Sequence, residues 1–191
     1  VLKNFVGAGT ASLVGDLANP ANVVIDKASG DVVAAPGLLS AWTVGGFRIT
    51  TVSGQCVGVR NGGRLQITGP MEYGATSSYH MFVTQQSALV VAGDYTISGG
   101  ANHHARIENA AMLQISGGLT ITLTGAPAFP IAFIAAYRLS AAIVFGLTFA
   151  GAATGVRYRA SLNSAIETNG GGASYLPGDT AGVLSAGAQY N

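Results

Sequence analysis

The sequence predicts an all-β fold: a right-handed, single-stranded parallel β-helix with three faces and about 24 residues per rung. Three observations lead to this prediction. Short β-rich runs separated by Gly, Asn, Ser and Pro occur along the chain, amphipathic helix patterns are nearly absent, and apolar residues recur at an offset of about 24 residues. A β-sandwich gives no reason for a constant offset, whereas stacked rungs place like residues above like residues at about 4.8 Å.

Each period contains three short strands, and each strand has two core residues at positions i and i+2. Alternate side chains of a strand point to the same side, so these pairs are predicted to fill a narrow central core. The six predicted core columns are Phe47, Met71, Tyr95, Leu119; Ile49, Tyr73, Ile97, Ile121; Ala41, Leu65, Leu89, Leu113; Thr43, Ile67, Val91, Ile115; Val33, Val57, Met81, Ala105; and Ala35, Val59, Val83, Ile107.

One break in the repeat is predicted. The stretch AMLQISGGLTITLTG, residues 111–125, is interpreted as two strands on consecutive faces that turn at Gly117-Gly118, rather than as a hairpin. After Leu123 the register slips by four residues, in a corner that contains two prolines. With that slip, the later core members are Phe133, Ala135, Ala141, Ile143, Leu147 and Phe149.

The pattern divides the chain into three parts. Residues 1–31 form an irregular first rung, residues 32–155 form the regular rungs, and residues 156–191 form the last rung and a C-terminal cap or interchain segment. The last part is Gly-rich and non-periodic. A β-helix exposes the edge of its top rung, so this segment is the candidate cover for that edge.

The amino-acid composition indicates which classes of partner to expect. Charged residues make up 9% of the chain, against a typical ~25%, which indicates that part of the outer surface is covered by an oligomer or a filament. A net charge of +1 gives no sign of nucleic-acid binding, and no window of about 20 uninterrupted apolar residues predicts membrane insertion. Cys56 is the single cysteine, so no internal disulfide is expected.

No catalytic motif or cofactor is predicted. None of the eight acids stacks directly on another within the central rungs, and Glu72 stacks on Arg48 instead, as a surface ion pair. We therefore expect a protein that is not an enzyme. The alternative is a polysaccharide depolymerase with an acid pair between subunits.

The histidines leave two interpretations open. His80 lies one period before His104, in a column shared with Cys56, and His103 precedes His104. Imidazoles stacked in this way could bind a metal. Otherwise they are polar corner residues that tolerate solvent.

Outward positions carry two groups of candidate contacts. Apolar residues that recur outward on one face favour burial against other copies of the chain, with a ligand surface as the alternative. These candidate trimer-interface residues are Trp42, Val44, Val90, Ala92, Ala142 and Val144. Outward or corner aromatic residues are the candidate receptor contacts: Tyr79, Phe82, Tyr137 and Tyr158.

Three segments carry a resemblance to a known family: PANVVID (residues 20–26), residues 93–134, and GVRYRASLNSAIETNGGGASYLPGDTAGVLSAGAQYN (residues 155–191). They resemble the C-terminal β-helical region of tailed-phage and prophage tail fibre or tail spike proteins. An ending with the pattern RY, SLN, GGGA, YLPG and a final Gln-Tyr is typical of that group. Glu167 and the more apolar stretch of residues 132–149 depart from it.

The resemblance implies a homotrimeric fibre tip on a virion, extracellular after host lysis, that engages a bacterial surface glycan or an outer-membrane protein. From it we expect a rigid, non-enzymatic adhesin. A structural subunit of an extracellular filament or a capsid decoration remains an alternative.

Overall fold

The computed structural model describes residues 11–37 and 41–191. The chain is a β-solenoid of about seven turns with about 24 residues per rung, as the sequence predicts. Three parallel sheets form its faces, and successive strands of the chain pass from face A to face B to face C. Neighbours within each sheet therefore come from successive rungs.

Face A contains β1 (Ala11–Val14), β4 (Ala41–Gly45), β7 (Arg64–Ile67), β10 (Ala88–Val91), β13 (Met112–Ile115), β17 (Ala141–Ile143), β21 (Ala165–Glu167) and β23 (Gln189–Tyr190). Face B contains β2 (Val24–Ser29), β5 (Phe47–Ser53), β8 (Met71–Tyr73), β11 (Tyr95–Ile97), β14 (Thr120–Leu123) and β18 (Thr148–Ala150). Face C contains β3 (Val33–Pro36), β6 (Gln55–Arg60), β9 (Tyr79–Thr84), β12 (His103–Glu108), β16 (Ala132–Tyr137), β20 (Tyr158–Ser161) and β22 (Val183–Leu184).

The core is a set of stacked inner columns. Ile49, Tyr73 and Ile97 lie above one another on face B, and each is fully buried. Burying a side chain of this size contributes roughly 1.5–3 kcal/mol, so each added rung is stabilised by the rung below it. Because the rungs stack in parallel, each strand is also hydrogen-bonded to its neighbours in the rungs below and above.

The register breaks earlier than predicted. Tyr95 pairs with Ile121 and Ile97 pairs with Leu123, so two residues are inserted at the Gly117-Gly118 corner before β14. The predicted placement of Leu119 and Ile121 in these two columns is therefore wrong. Further residues enter the corner after Leu123, where β15 (Ala128–Phe129) pairs with β19 (Thr154–Gly155) in a small fourth sheet.

Across this break, faces A and C are shifted by one residue more than predicted. Leu113 pairs with Ala142 instead of Ala141, and Ala105 pairs with Ile134 instead of Phe133. The predicted columns of Ala141, Ile143, Phe133 and Ala135 are therefore wrong, although Phe133 is still buried, against His104. Phe149 does pair with Ile121, as predicted, because one residue fewer follows β17.

The corner from face C to face A has a repeated left-handed conformation. Consecutive residues with positive φ occupy it in rung after rung, including Gln85-Gln86, Asn109-Ala110 and Arg138-Leu139. Backbone N–H groups in this corner donate to carbonyls one rung away, from Gln86 to Asn109 and from Leu139 to Leu162. These bonds extend the ladder through the turn, which compensates for the unfavourable conformation of non-glycine residues.

The C-terminal segment covers the last rung. After β21 the chain crosses the end of face B, where the Tyr175 ring packs on Phe149 at a centroid distance of 5.6 Å. The Leu147 N–H donates to Tyr175 Oη at 2.7 Å, and Leu176 is buried. The chain then adds β22 and β23, and Tyr190 stacks on Tyr158 at 3.8 Å. The Gly-rich ending therefore caps face B and continues faces A and C.

Helix is almost absent from the part of the chain that the structure describes. It holds the 3₁₀ turn Pro20–Asn22, and none of its helices is long and apolar enough to cross a membrane. The first ten residues of the predicted irregular rung lie outside the described residues.

Candidate ligand-binding face

Four of the six candidate interface residues point into the core. Val44, Ala142 and Val144 are buried, and Trp42 packs against the core in the same column as Leu65. The prediction that these four residues face outward is wrong.

A shift of one residue explains the error. Trp42 pairs with Leu65, one residue short of the regular repeat, and Ala142 pairs with Leu113, one residue beyond the predicted slip. Such a change moves a side chain to the opposite side of a strand. The same shift places Thr43, predicted as a core residue, in the outer column of Gln66.

The outer side of face A nevertheless carries apolar residues, which alternate with polar ones such as Gln66 and Gln114 in the column of Val90. Val90 is half-buried and Ala92 is exposed, both on the outer side as predicted. The register adds Ile143 to the outer column of Val90, and Met112 and Phe145 are exposed on the same face. Ile143 was predicted as a core residue, because the predicted slip is one residue short on this face.

Three of the four candidate receptor contacts meet on the outer side of face C. The Tyr79 and Phe82 rings lie 5.3 Å apart, and both residues are half-buried, as is Tyr137. Tyr158 is different: it occupies the inner column of Ala105 and Ile134, is buried, and stacks on Tyr190. The prediction that Tyr158 is a surface contact is wrong, because the register of face C differs by one residue from the predicted one.

Two arginines join these aromatic residues into one surface cluster. The Arg106 guanidinium lies over the Tyr79 ring at 5.4 Å and over the Tyr137 ring at 5.2 Å, and Arg60 lies over Phe82 at 5.0 Å. The attraction of a cation to a ring face fixes the rings and the guanidinium groups relative to one another. We call Arg60, Tyr79, Phe82, Arg106 and Tyr137 the face C cluster.

One of the two carboxylates on this face is shared between two arginines. Asp31 forms an ion pair with Arg60. Glu108 Oε2 accepts from Arg106 Nη2 at 2.7 Å and from Arg138 Nη1 at 3.1 Å. Arg159 is exposed and has no ion pair among the described residues. One carboxylate thus serves two arginines and a third arginine is unpaired, so this end of face C is positively charged.

A surface pocket of about 250 Å³ opens beside the cluster. Its lining is His103, Arg106, Ile131, Tyr137, Arg138, Ser161 and Leu162. His103 is almost fully enclosed and packs edge-on against Tyr79 at 5.2 Å. Neither of its ring nitrogens has a hydrogen-bond partner within the described part of the protein. An enclosed imidazole without partners costs about 1–3 kcal/mol, so it is an unusual group to find at a pocket wall.

The other two histidines belong to the core. His80 and His104 are fully buried one above the other, with their Nδ1 atoms 3.1 Å apart. A hydrogen bond of 2.9 Å joins His104 Nε2 to the Tyr95 hydroxyl. The His104 ring also stacks on Phe133 at 4.7 Å. The interpretation of these residues as solvated corner residues is therefore wrong.

Burial sets the protonation of all three histidines. It lowers the pKa of His80 to about 3, against a weaker opposing effect of the Gly74 and Gly100 backbone. Burial also lowers the pKa of His104, and the neighbouring His80 ring adds to this effect. It also lowers the pKa of His103 to about 3, and the positive charges of Arg106 and Arg159 add to that effect. The neutral imidazole is the favoured form in each case.

Among the described residues, no group of three or more His, Cys, Asp or Glu residues could hold a metal ion. Burial raises the pKa of Cys56 to about 12, which keeps its thiol protonated. Glu72 pairs with Arg48 at 3.3 Å, as predicted, and accepts a hydrogen bond from Ser98 Oγ at 2.6 Å.

Comparisons of the chain with family models, with curated proteins and with solved structures find no match. The class of protein that the fold defines is a three-faced parallel β-solenoid.

Proposed function

We propose that this chain is a rigid, non-enzymatic adhesin domain of a phage tail fibre or tail spike, and that the face C cluster is its receptor-binding surface. The observation that carries the proposal is the assembly of Tyr79, Phe82 and Tyr137 with two arginines on the outside of a continuous β-solenoid. Aromatic rings and arginines are the side chains that most often dominate binding surfaces.

The scaffold supports binding rather than a mobile catalytic cleft. The strands of face C are hydrogen-bonded to those of neighbouring rungs, and the inner residues of β9 and β12 are fully buried. A surface built on regular strands keeps its groups in fixed positions, which lowers the entropic cost of binding. The proposed ligand is a bacterial surface glycan, because such ligands present repeated rings and polar groups along a chain.

The proposed assembly is a homotrimer that uses the outer side of face A. Val90, Met112, Ile143 and Phe145 give this side an apolar surface, and Ala92 adds a small side chain beside it. A sheet face with several exposed apolar residues, on a chain with 9% charged residues, favours burial against identical faces. In that assembly face C stays outside, available to a receptor, on a virion and in the extracellular medium after host lysis.

The proposal is tested by measuring the binding of the purified chain to an array of bacterial capsular and lipopolysaccharide glycans. We expect binding that is lost in the double variant Phe82→Ser/Tyr137→Ser. The matched control is Val52→Ser, which removes an exposed apolar residue of β5 on face B and is expected to leave glycan binding intact. Equal binding by the wild type and the double variant would refute the role of face C.

A parallel assay separates the adhesin from the depolymerase. The same glycans are incubated with the chain and the release of new reducing ends is followed. An adhesin leaves the polymer length unchanged, whereas sustained release of reducing ends would replace the proposal with an enzymatic function.

A further inference from the structure

The pocket beside the face C cluster combines positive charge with unused hydrogen-bonding capacity. Arg106 and Arg138 line it, and both of them pair with the single carboxylate of Glu108. Arg159 lies two rungs above Arg106 in the same outer column, with Ala135 between them. Two of the three guanidinium groups on this part of face C thus share one carboxylate, and the third, that of Arg159, has no ion pair among the described residues.

The small residue at position 135 shapes this space. Ala135 faces outward between Arg106 and Arg159, yet it is fully buried, because the long side chains around it extend over it. A larger side chain at this position would occupy the gap between the two arginines. The spacing of two rungs separates the backbones of the two arginines by about 9.6 Å.

His103 provides an independent indication of a ligand. It lines the same pocket, is 1% exposed, and has two ring nitrogens without partners among the described residues. A neutral imidazole carries one donor nitrogen and one acceptor nitrogen, so it can donate to one hydroxyl group and accept from another. Sugar hydroxyls have this property, and exposed Ile131 at the pocket edge offers an apolar contact for the C–H face of a ring.

We infer that the pocket binds an anionic sugar, with its carboxylate or phosphate held by Arg138 in the pocket lining and by Arg159 in the adjoining outer column, and its neighbouring hydroxyl groups beside His103. Arginine is suited to this role because its planar guanidinium matches the geometry of both oxyanions. Arg106 is held by Glu108 and Tyr79 and acts as a fixed wall of the site. The inference rests on the proposed function, and it names the chemical class of the receptor.

The test measures binding of the intact chain by calorimetry to four probes: oligogalacturonate, the same oligomer with its carboxyl groups reduced to alcohols, a phosphorylated mannan, and inorganic phosphate. We expect the chain to bind oligogalacturonate or the phosphorylated mannan, and to bind the reduced neutral oligomer at least tenfold more weakly. Binding of the first identifies a carboxylate, and binding of the second identifies a phosphate. Binding of inorganic phosphate alone, or of none of the probes, would overturn the inference, because the site would then not recognise an anionic sugar.

Variants locate the site. Arg159→Gln and Arg138→Gln are each expected to weaken binding of the anionic probe about tenfold. Arg64→Gln removes an exposed arginine from face A and is expected to leave binding unchanged. His103→Phe keeps an aromatic ring against Tyr79 and removes both nitrogens, and it is expected to weaken binding with no loss of folded structure. If Arg138→Gln and Arg64→Gln bind equally well, the pocket is not the site.

The two proposals fail in distinguishable ways. If the chain binds bacterial glycans but the arginine variants of the pocket bind them as well as the wild type, the adhesin function stands and the anionic site is wrong. If the chain binds oligogalacturonate through Arg159 but binds no bacterial surface, the site stands and the adhesin function is wrong.

Discussion

His80 and His104 lie one above the other in the core, and their Nδ1 atoms are 3.1 Å apart. At this distance the Nδ1 atom of one ring donates a proton and the Nδ1 atom of the other ring accepts it. The contact therefore requires that only one of the two Nδ1 atoms is protonated. The Tyr95 hydroxyl bonds to the far nitrogen of His104. Protonation of both rings would break this hydrogen-bonded network and bury like charges.

The histidines predict a loss of stability in mild acid. The pKa of His80 and of His103 is lowered to about 3 in the folded chain, from about 6.5 when unfolded. Between these values the unfolded state binds protons that the folded state excludes, so stability is fully present above pH 6.5 and falls as pH drops toward 3. Each of these two histidines contributes about 1.4 kcal/mol per pH unit in that window. Urea denaturation at pH 7.5, 6.0 and 5.0 measures the slope.

A double variant isolates the stacked pair. His80→Phe/His104→Phe keeps two rings in the core and removes the groups that titrate, so its stability is expected to change less between pH 7.5 and 5.0. His103→Phe is the matched single variant outside the pair. Equal pH slopes in the wild type and the double variant would contradict the buried neutral state of the stacked histidines.

Val144 and Val90 test the register of face A. Val144 is fully buried, so Val144→Asp places a carboxylate in the core and is expected to prevent folding or to destabilise the chain by several kcal/mol. Val90 is on the outer side, so Val90→Asp is expected to preserve the fold and, if the proposed trimer forms through face A, to yield monomers. Circular dichroism and light scattering measure the two outcomes. A well-folded Val144→Asp variant would refute the register.

Leu139 tests the left-handed corner. It is 69% exposed and has a φ of 62°, so its contribution to stability comes mainly from the backbone conformation. Leu139→Val introduces a β-branched side chain at positive φ and is expected to cost roughly 1–2 kcal/mol. Leu139→Asn, which tolerates this conformation, is expected to be neutral or slightly stabilising. Urea denaturation measures the stability of both variants. If Leu139 had an extended backbone conformation instead of a positive φ, the two variants would be equally stable.

Tyr175 tests the cap. Its hydroxyl accepts a hydrogen bond from the Leu147 N–H, and its ring packs on Phe149. Tyr175→Phe keeps the ring and is expected to cost about 1 kcal/mol, whereas Tyr175→Ala is expected to cost about 3–5 kcal/mol, because it also removes the packing. Thermal denaturation compares the two. Two variants as stable as the wild type would show that the C-terminal segment does not stabilise the last rung.

The sequence was sufficient for the architecture because the rung length is constant where the core is regular. On face B, Ile49 pairs with Tyr73 and Tyr73 pairs with Ile97 without an insertion between them, and the pattern of alternate apolar residues is clear. A repeat of this kind is visible without any knowledge of side-chain contacts.

The insertions between faces could not be located in the same way. The corner at Gly117-Gly118 has two additional residues. Because Leu119, Ile121 and Leu123 are all apolar and alternate with polar residues, the pair Leu119/Ile121 and the pair Ile121/Leu123 satisfy the core pattern equally well. The run AAYRLSAAIV is similarly ambiguous, because adjacent alanines provide no contrast between inside and outside. Each ambiguity of one residue reverses a strand, which explains the misplaced Val144 and Tyr158.

The polar part of the core was also hidden from the sequence. His80 and His104 stack at the predicted period, but polar residues near a corner are normally solvated. Their burial depends on the aromatic residues around them, especially Phe133 and Phe129, which the enlarged corner after Leu123 brings into the core. The face C cluster was predicted as separate aromatic residues, and the arginines that join them were not predicted.

The most direct test of the central claim is the adsorption of the fluorescently labelled chain to living bacteria. The wild type is compared with Phe82→Ser/Tyr137→Ser and with the face B control Val52→Ser. The wild type and the control are expected to label the surface of a susceptible strain, and purified surface glycan from that strain is expected to compete. The double variant is expected to lose the label while keeping the circular dichroism spectrum of the wild type. Undiminished labelling by the folded double variant would contradict the claim that face C is the binding surface.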